Sequence, residues 1–228
     1  MSAQPQDGGT ATAKGEVTIE ELGRAARTVA RRVAEAKATV PEHTLSVEVD
    51  MEACAVLREE PGPTYQDMVV RACAVTLREH PRANGAYRDG HLEAYSRVNV
   101  GVAVHQAGVL TLPTVFDADQ LSLADIAAAT RALVERVAQG TITSPELGGA
   151  TFTVSSLGVR AFAAILTPPQ AGVLAAGAVE PRAVVHEGEL AARRRMDLTL
   201  TCDHRILFGA GAAAFLARVR ELLERAEL

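Results

Sequence analysis

Two residues of this chain, His204 and Ser155, have the type and setting to do chemistry. His204 lies in Thr201-Cys202-Asp203-His204-Arg205-Ile206-Leu207-Phe208-Gly209-Ala210. Before it, Met196 to Cys202 alternates with the period of a strand, Leu198, Leu200 and Cys202 sharing a face; after it, Gly209 to Glu224 carries Ala, Leu, Phe and Val at helical spacing. The imidazole therefore stands in a short strand-to-helix turn, aimed by two rigid elements and locked into neither core. Imidazole titrates near neutral pH, so proton transfer is the chemistry to expect of it. Taken alone, a histidine is more often structural. Ser155 ends the apolar strand Thr151 to Val154 and, taken alone, reads as a serine capping a turn.

Three longer stretches bear on both residues. The decapeptide around His204 resembles the C-terminal signature of the acyltransferase component of 2-oxo acid dehydrogenase complexes, roughly Ser-Xaa-Asp-His-Arg-Xaa-Xaa-Asp-Gly-Ala. Gly149-Ala150-Thr151-Phe152-Thr153-Val154-Ser155-Ser156-Leu157-Gly158 is similar to that family's Gly-Gly-Thr-Phe-Thr-Ile-Ser-Asn-Leu-Gly, and Thr167-Pro168-Pro169-Gln170-Ala171 to its Asn-Pro-Pro-Gln-Ala. Order and spacing agree, and the likeness extends through Asn99 to Val104, Gly108 to Phe116 and Ala30 to Pro41.

The resemblance implies a chloramphenicol acetyltransferase-like fold and a homotrimer with its sites between subunits. It implies that His204 takes the proton of a thiol, that of coenzyme A in one direction and of dihydrolipoamide in the other. It implies that Ser155 donates its hydroxyl to the oxyanion of the tetrahedral intermediate, reaching the histidine of a neighbouring subunit. Ser156, where the family often has Asn, competes for that role. Arg205 and Gly209 keep the signature around the histidine, and Pro168-Pro169 would fix a rigid turn beside the substrate channel. Phe208 departs from it: the family places Asp or Asn there, whose polar group holds the turn through hydrogen bonds and an arginine. Ala26 aligns with such an arginine, with Arg27 beside it. The departure keeps two other readings open, a partner-binding scaffold with impaired activity and an acyltransferase acting on a small-molecule amine or hydroxyl.

The elements that must position these residues read as one domain over residues 17–228, after a flexible tail over 1–16 rich in Ser, Ala, Gln, Gly and Thr. A helix is expected from Thr18, with Glu21 completing a capping box, to Val40-Pro41. A strand over Thr44 to Asp50 follows, then a short helix over Met51 to Glu59 closed by Pro61-Gly62-Pro63, then a helix opened by Thr64 and Asp67. Asp89-Gly90 marks a hairpin. Val98 to His105 and Val109 to Phe116 read as two long strands joined by Gln106-Ala107-Gly108, and Leu121 to Gln139 as a helix. Ala150 to Ser155 and Gly172 to Ala178 are buried strands, and a further hairpin turns at Glu187-Gly188-Glu189. Helices interleaved with hairpins give a two-layer α/β sandwich with a mixed sheet.

Composition excludes several classes. The net charge of -5, with both signs interspersed, offers no basic field for nucleic acid. No apolar run approaches the roughly 20 residues that cross a bilayer, and the first residues lack the order of a signal peptide, so a cytoplasmic protein is expected. Cys54, Cys73 and Cys202 have neither disulfide-framework nor metal-ligand spacing, so no metal is expected. Arg193-Arg194-Arg195 reads as a solvated edge strand, with the phosphates of coenzyme A as the other reading. The only lysines are Lys14 and Lys37, neither at a hairpin tip, so the lipoyl group must come from a carrier on another chain. Without the apolar C-terminal extension by which relatives join trimers, an isolated trimer is expected.

Overall fold

A computed structural model of the protein describes residues 13–58, 62–106 and 109–228. Most of the expected tail, Pro61, and Ala107-Gly108 of the expected turn lie outside the described residues.

In chain order the elements are α1 (Arg24–Thr39), β1 (Glu42–Asp50), α2 (Glu52–Val56), α3 (Tyr65–Glu79), β2 (Gly85–Arg88), β3 (His91–Ala94), β4 (Val100–Val102), β5 (Val104–Gln106), β6 (Val109–Thr111), β7 (Thr114–Val115), α4 (Leu123–Ala138), β8 (Phe152–Ser156), β9 (Gly172–Ala176), β10 (Glu180–His186), β11 (Glu189–Asp203) and α5 (Gly209–Arg225). The main sheet runs β1-β11-β9-β8-β4-β7, with β10 also on β11. β8 lies parallel to β9 and to β4; the other pairings are antiparallel. This is the expected mixed sheet.

Alternation divides the sheet into two unlike faces. Val49, Phe152, Val154, Leu174, Leu198, Leu200 and Cys202 point to one side, where α3, α4 and α5 bury them in a single core with Met68, Leu77, Phe215 and Leu223. The opposite face carries Ser46, Thr153, Ser155, Thr199 and Thr201, Ser46 Oγ meeting Thr199 Oγ1 at 3.0 Å. There the chain lays down the end of α1, where Val40 packs with Leu166 and Val173. The apolar side chains toward the helices thus fix which hydroxyls face away, and Ser155 is among these.

Several boundaries differ from expectation. α1 begins at Arg24 after Gly23, whose N-cap position makes no side-chain bond, so no cap forms at Thr18. The two long strands are each broken. The Ala103 amide donates to the Val154 carbonyl and the Val102 amide to the Pro113 carbonyl, and beyond these β5 and β6 leave the sheet as a separate ribbon. The last hairpin turns on two residues, Glu187 (φ 52°) and Gly188 (φ 89°), so Glu189 pairs with His186 and β11 runs 15 residues without interruption. Arg195 lies between Glu180 of β10 and Asp50 at the end of β1, whereas Arg193 and Arg194 pair with β10 alone and keep the expected edge character. Their charges are met within the chain, with Arg193 on Asp50 at 2.5 Å, Arg194 on Glu52 at 2.9 Å and Arg195 3.6 Å from Asp50.

Candidate active site

His204 occupies the turn between β11 and α5, and that turn is held from several sides. Asp203, 4% exposed, receives Arg205 Nε at 2.9 Å and Nη2 at 2.6 Å, together with the Arg205 amide at 3.0 Å. The Arg205 guanidinium lies 4.1 Å from the centroid of the Tyr87 ring. The Asp203 carbonyl accepts from the Ile206 and Leu207 amides, and the His204 amide donates to the Pro41 carbonyl at 3.0 Å. Arg82 Nε adds a bond of 3.0 Å to the Ile206 carbonyl. A polar side chain at position 208 is therefore not needed to keep the turn closed.

Phe208 is instead the N-cap residue of α5, contributes no side-chain cap bond, and is 53% exposed. Its ring meets that of His204 edge-on at 5.8 Å, and the His43 ring meets His204 from another side at 5.0 Å. The imidazole itself is exposed. Cys202, two residues away, is no rival nucleophile: burial, then the neighbouring Asp203 charge, push its thiol up to about 11, so it stays protonated near neutral pH.

Ser155 belongs to a different place. It lines a cleft of about 950 Å3 between the open sheet face, α1, the 157–168 segment and the β5–β6 ribbon. Thr153 shares its face and donates to Gln170 Oε1 at 2.7 Å; Gln170 Nε2 returns to the Ala150 carbonyl at 3.2 Å. That exchange ties β8 to the turn bearing Pro168, which lines the cleft, and Pro169, which does not. The Pro168–Pro169 bond is cis. Ser156 points to the other side of β8 and is absent from the cleft wall. His105, on β5, faces the same cleft and carries no signal in the sequence. A second cleft of about 840 Å3, at the N-terminus of α3, contains none of the expected site residues.

Within one chain the two halves do not meet. Ser155 is level with Ala175, and Ala175 with Thr199. From Thr199 to His204 β11 and the turn advance about 16 Å at roughly 3.3 Å per residue, and two strand spacings of about 4.8 Å separate β8 from β11. His204 is not part of the cleft wall.

A mixed sheet with α3, α4 and α5 on one face, α1 on the other, and the serine strand β8 set apart from the histidine turn after β11 is an α/β fold of the chloramphenicol acetyltransferase-like class. A chloramphenicol acetyltransferase, 16% identical, superposes over 85% of this chain and 94% of its own with a TM-score of 0.57. Residues 14–228 match the model of the 2-oxoacid dehydrogenases acyltransferase (catalytic domain), and the chain belongs to that family.

Among curated relatives, the dihydrolipoyllysine-residue acetyltransferase component of the pyruvate dehydrogenase complex of Rhizobium meliloti is 36% identical over 87% of this chain and 48% of its own. The mitochondrial counterpart of Caenorhabditis elegans is 32% identical over 99% of this chain and 49% of its own. The chain thus spans about half the length of the curated relatives it matches. The dihydrolipoamide acetyltransferase of Azotobacter vinelandii, whose structure addresses the role of a serine, a histidine and an asparagine in its catalytic mechanism, is 26% identical. It covers 100% of this chain and 98% of its own, with a TM-score of 0.89. The cubic core of a pyruvate dehydrogenase complex follows at 27% identity, a TM-score of 0.88 and the same coverage.

Proposed function

We propose that the protein transfers an acyl group between coenzyme A and the thiol of a dihydrolipoyl group, at a site completed by two copies of the chain. The observation that carries this reading is the separation of the half-sites: Ser155 and His204 both stand in their motifs, yet they lie on distant parts of one protomer. A closed cyclic trimer places the same two surfaces against each other at every interface. Exposed Leu110, Leu157, Val159 and Ile165 around the cleft supply apolar surface for that contact.

In such a site His204 accepts the proton from the attacking thiol as its sulfur bonds to the thioester carbonyl carbon. Ser155 Oγ–H donates to the oxygen that becomes negative. Collapse of the tetrahedral intermediate breaks the bond to the departing sulfur, which takes the proton back from His204. Pro168 and Phe162 on the cleft wall exclude water from the thioester. Both thiols are substrates. The dihydrolipoyl group is presented by a lipoyl-bearing carrier, and Lys37, which lies in α1 paired with Glu42, is not its attachment point. A trimer is the assembly this reading requires. Free, buried Cys54, Cys73 and Cys202 suit a reducing compartment such as the cytoplasm.

The test is acetyl transfer from acetyl coenzyme A to free dihydrolipoamide. Turnover in the natural protein that is lost in His204→Ala supports the reading. Silence of the natural protein toward dihydrolipoamide and toward loaded lipoyl carrier would overturn it and leave the scaffold or another acceptor.

A further inference from the structure

Four residues after the histidine this chain has an aromatic ring, and the structure shows what that ring touches. Phe208 leaves the turn in extended conformation (φ -74°, ψ 160°) and directs its edge-on contact to His204, with an interplanar angle of 74°. On His204's other contact, the His43 ring meets it at 71°. Phe208 is in turn covered by Arg82, whose guanidinium carbon is 5.5 Å from its centroid. The same guanidinium bonds the Ile206 carbonyl at 3.0 Å, so one side chain fixes both the backbone of the turn and the ring at its end. His43 is fixed as well. It stands opposite Cys202 in the β1–β11 register, and its Nε2 lies 3.9 Å from where a Cβ on Gly209 would stand, against the first turn of α5.

We infer that Phe208, held by Arg82, and His43 are positioning residues that orient the His204 imidazole. Aromatic edges thereby replace the polar group that the signature places at position 208. The inference rests on His204 being the base of the proposed reaction. Its physical content is rotational. The terminal torsion of a histidine is broad and roughly two-fold, and an exposed ring samples that breadth unless neighbours narrow it. Two edge-to-face contacts are together enough to favour one orientation by roughly fivefold or more. Arg205 does not do this work: its guanidinium is engaged by Asp203 and Tyr87. Arg82 and His43 fall outside all three stretches that carry the family resemblance around His204 and Ser155.

The experiment couples a spectroscopic readout to kinetics on the full chain. The Hε1 proton resonance of His204, assigned by its loss in His204→Ala, is compared between the natural protein, Phe208→Leu and Phe208→Tyr. Steady-state acetyl transfer to dihydrolipoamide is measured on the same samples and on Arg82→Ala, Arg82→Lys, His43→Ala and His43→Phe. Phe208→Leu is expected to move the His204 resonance and to lower kcat about 10- to 100-fold, with KM for both thiols within about twofold, as for a base displaced by about 1 Å. Phe208→Tyr and His43→Phe, which keep a ring, are expected within about threefold of the natural protein. Arg82→Ala should lose more than Arg82→Lys.

An unmoved resonance in Phe208→Leu overturns the inference whatever the kinetics. A moved resonance with unchanged kcat, while His204→Ala is inactive, overturns the positioning role. Turnover that survives in His204→Ala is a separate failure, that of the base assignment, and the resonance still reports whether the ring is held.

Discussion

The two half-sites are built on opposite principles. The His204 turn is closed by contacts from its own chain: Asp203 and Arg205 grip each other over Tyr87, Arg82 and Pro41 secure the backbone, and Ile206 and Leu207 are buried beneath. The Ser155 half is an open wall. Its hydroxyl stands on a rigid strand, but the cleft before it is bounded by exposed Val29, Leu110, Leu157 and Ile165, which nothing in the chain covers among the described residues. A group that must swing a proton within one or two tenths of a nanometre needs its support preorganised. A hydroxyl that only donates to a nascent oxyanion needs its partner brought to it. On the proposed reading, that open wall is the surface a second copy would cover.

The largest expected effect tests that division directly. His204→Ala and Ser155→Ala should each be severely impaired, Ser155→Ala by about 100- to 1000-fold in kcat, as for the loss of one oxyanion donor. If each site draws on two protomers, unfolding and reassembling the two inactive variants together should restore about a quarter of the natural sites in a randomly mixed trimer. No recovery above the parents, in mixtures shown by native mass spectrometry to be heterotrimeric, would place both groups in one protomer.

Next in size is a lesion confined to the His204 half. Asp203→Ala would leave the Arg205 guanidinium without its carboxylate beside a buried turn. A loss of about 2–3 kcal/mol is expected, less than for a wholly buried pair because the Arg205 side chain is 31% exposed. Denaturant midpoints at unchanged m-value would measure it. Arg205→Lys should recover less than half of what Arg205→Ala loses, since a single ammonium cannot reproduce the fork and the stacking on Tyr87.

The corresponding lesion of the Ser155 half is Gly177→Ala. An added Cβ would stand 2.0 Å from the Arg160 carbonyl oxygen, a backbone atom that cannot rotate away. The neighbouring Ala178 amide donates to the Val159 carbonyl at 2.7 Å, so this close approach pins the segment that borders the cleft. About 1–3 kcal/mol of destabilisation is expected, with a fall in transfer larger than Asp203→Ala causes at equal stability. By contrast Gly209→Ala, whose Cβ would find only His43 Nε2 at 3.9 Å, should fold with stability within about 1 kcal/mol of the natural chain.

Which parts of this were readable from the residues follows from how far each contact reaches along the chain. The Thr64–Asp67 capping box and the Asp89-Gly90 turn, with φ of 46° and 85°, are local and stand where they were expected. So do His204 in its turn and Ser155 at its strand end, because period and punctuation are local too. The Ser122–Asp125 capping box that opens α4 was equally local and escaped attention behind Leu121. Thr18 and Glu21 had the right types, but helix α1 starts at Arg24, five residues after Ile19, and no backbone turn is there to cap. The residues that hold the histidine's turn from afar, His43 on His204, Tyr87 on Arg205 and Arg82 on Phe208 and Ile206, come from β1, β2 and the loop after α3. Only the β1–β11 register and the end of α3 bring them to the turn. The ion pairs of the arginine run are equally non-local: nothing nearby in the chain says that β11 carries it past Asp50 and Glu52.

The smallest expected effect is also the one that most sharpens the comparison, because stability and turnover should part company. Phe208→Asp restores the residue type of the family signature at the N-cap of α5, a position that makes no side-chain cap bond in this chain. An aspartate there accepts from the amides of the first turn and faces the positive end of the helix, and a gain of about 0.5–2 kcal/mol is expected. The new carboxylate would also stand beside Arg82, whose guanidinium now covers the Phe208 ring. The resemblance sets Ala26 where the family has an arginine, so on that alignment the signature's pairing would be rebuilt only if Arg27 took the place. The ring edge against His204 would be gone. Thermal unfolding should therefore move up by a few degrees at most while kcat falls or stays level. A rise in kcat would mean that the His204 half is merely a damaged version of the family's turn, whereas a more stable and slower enzyme would show that it has been rebuilt around an aromatic contact.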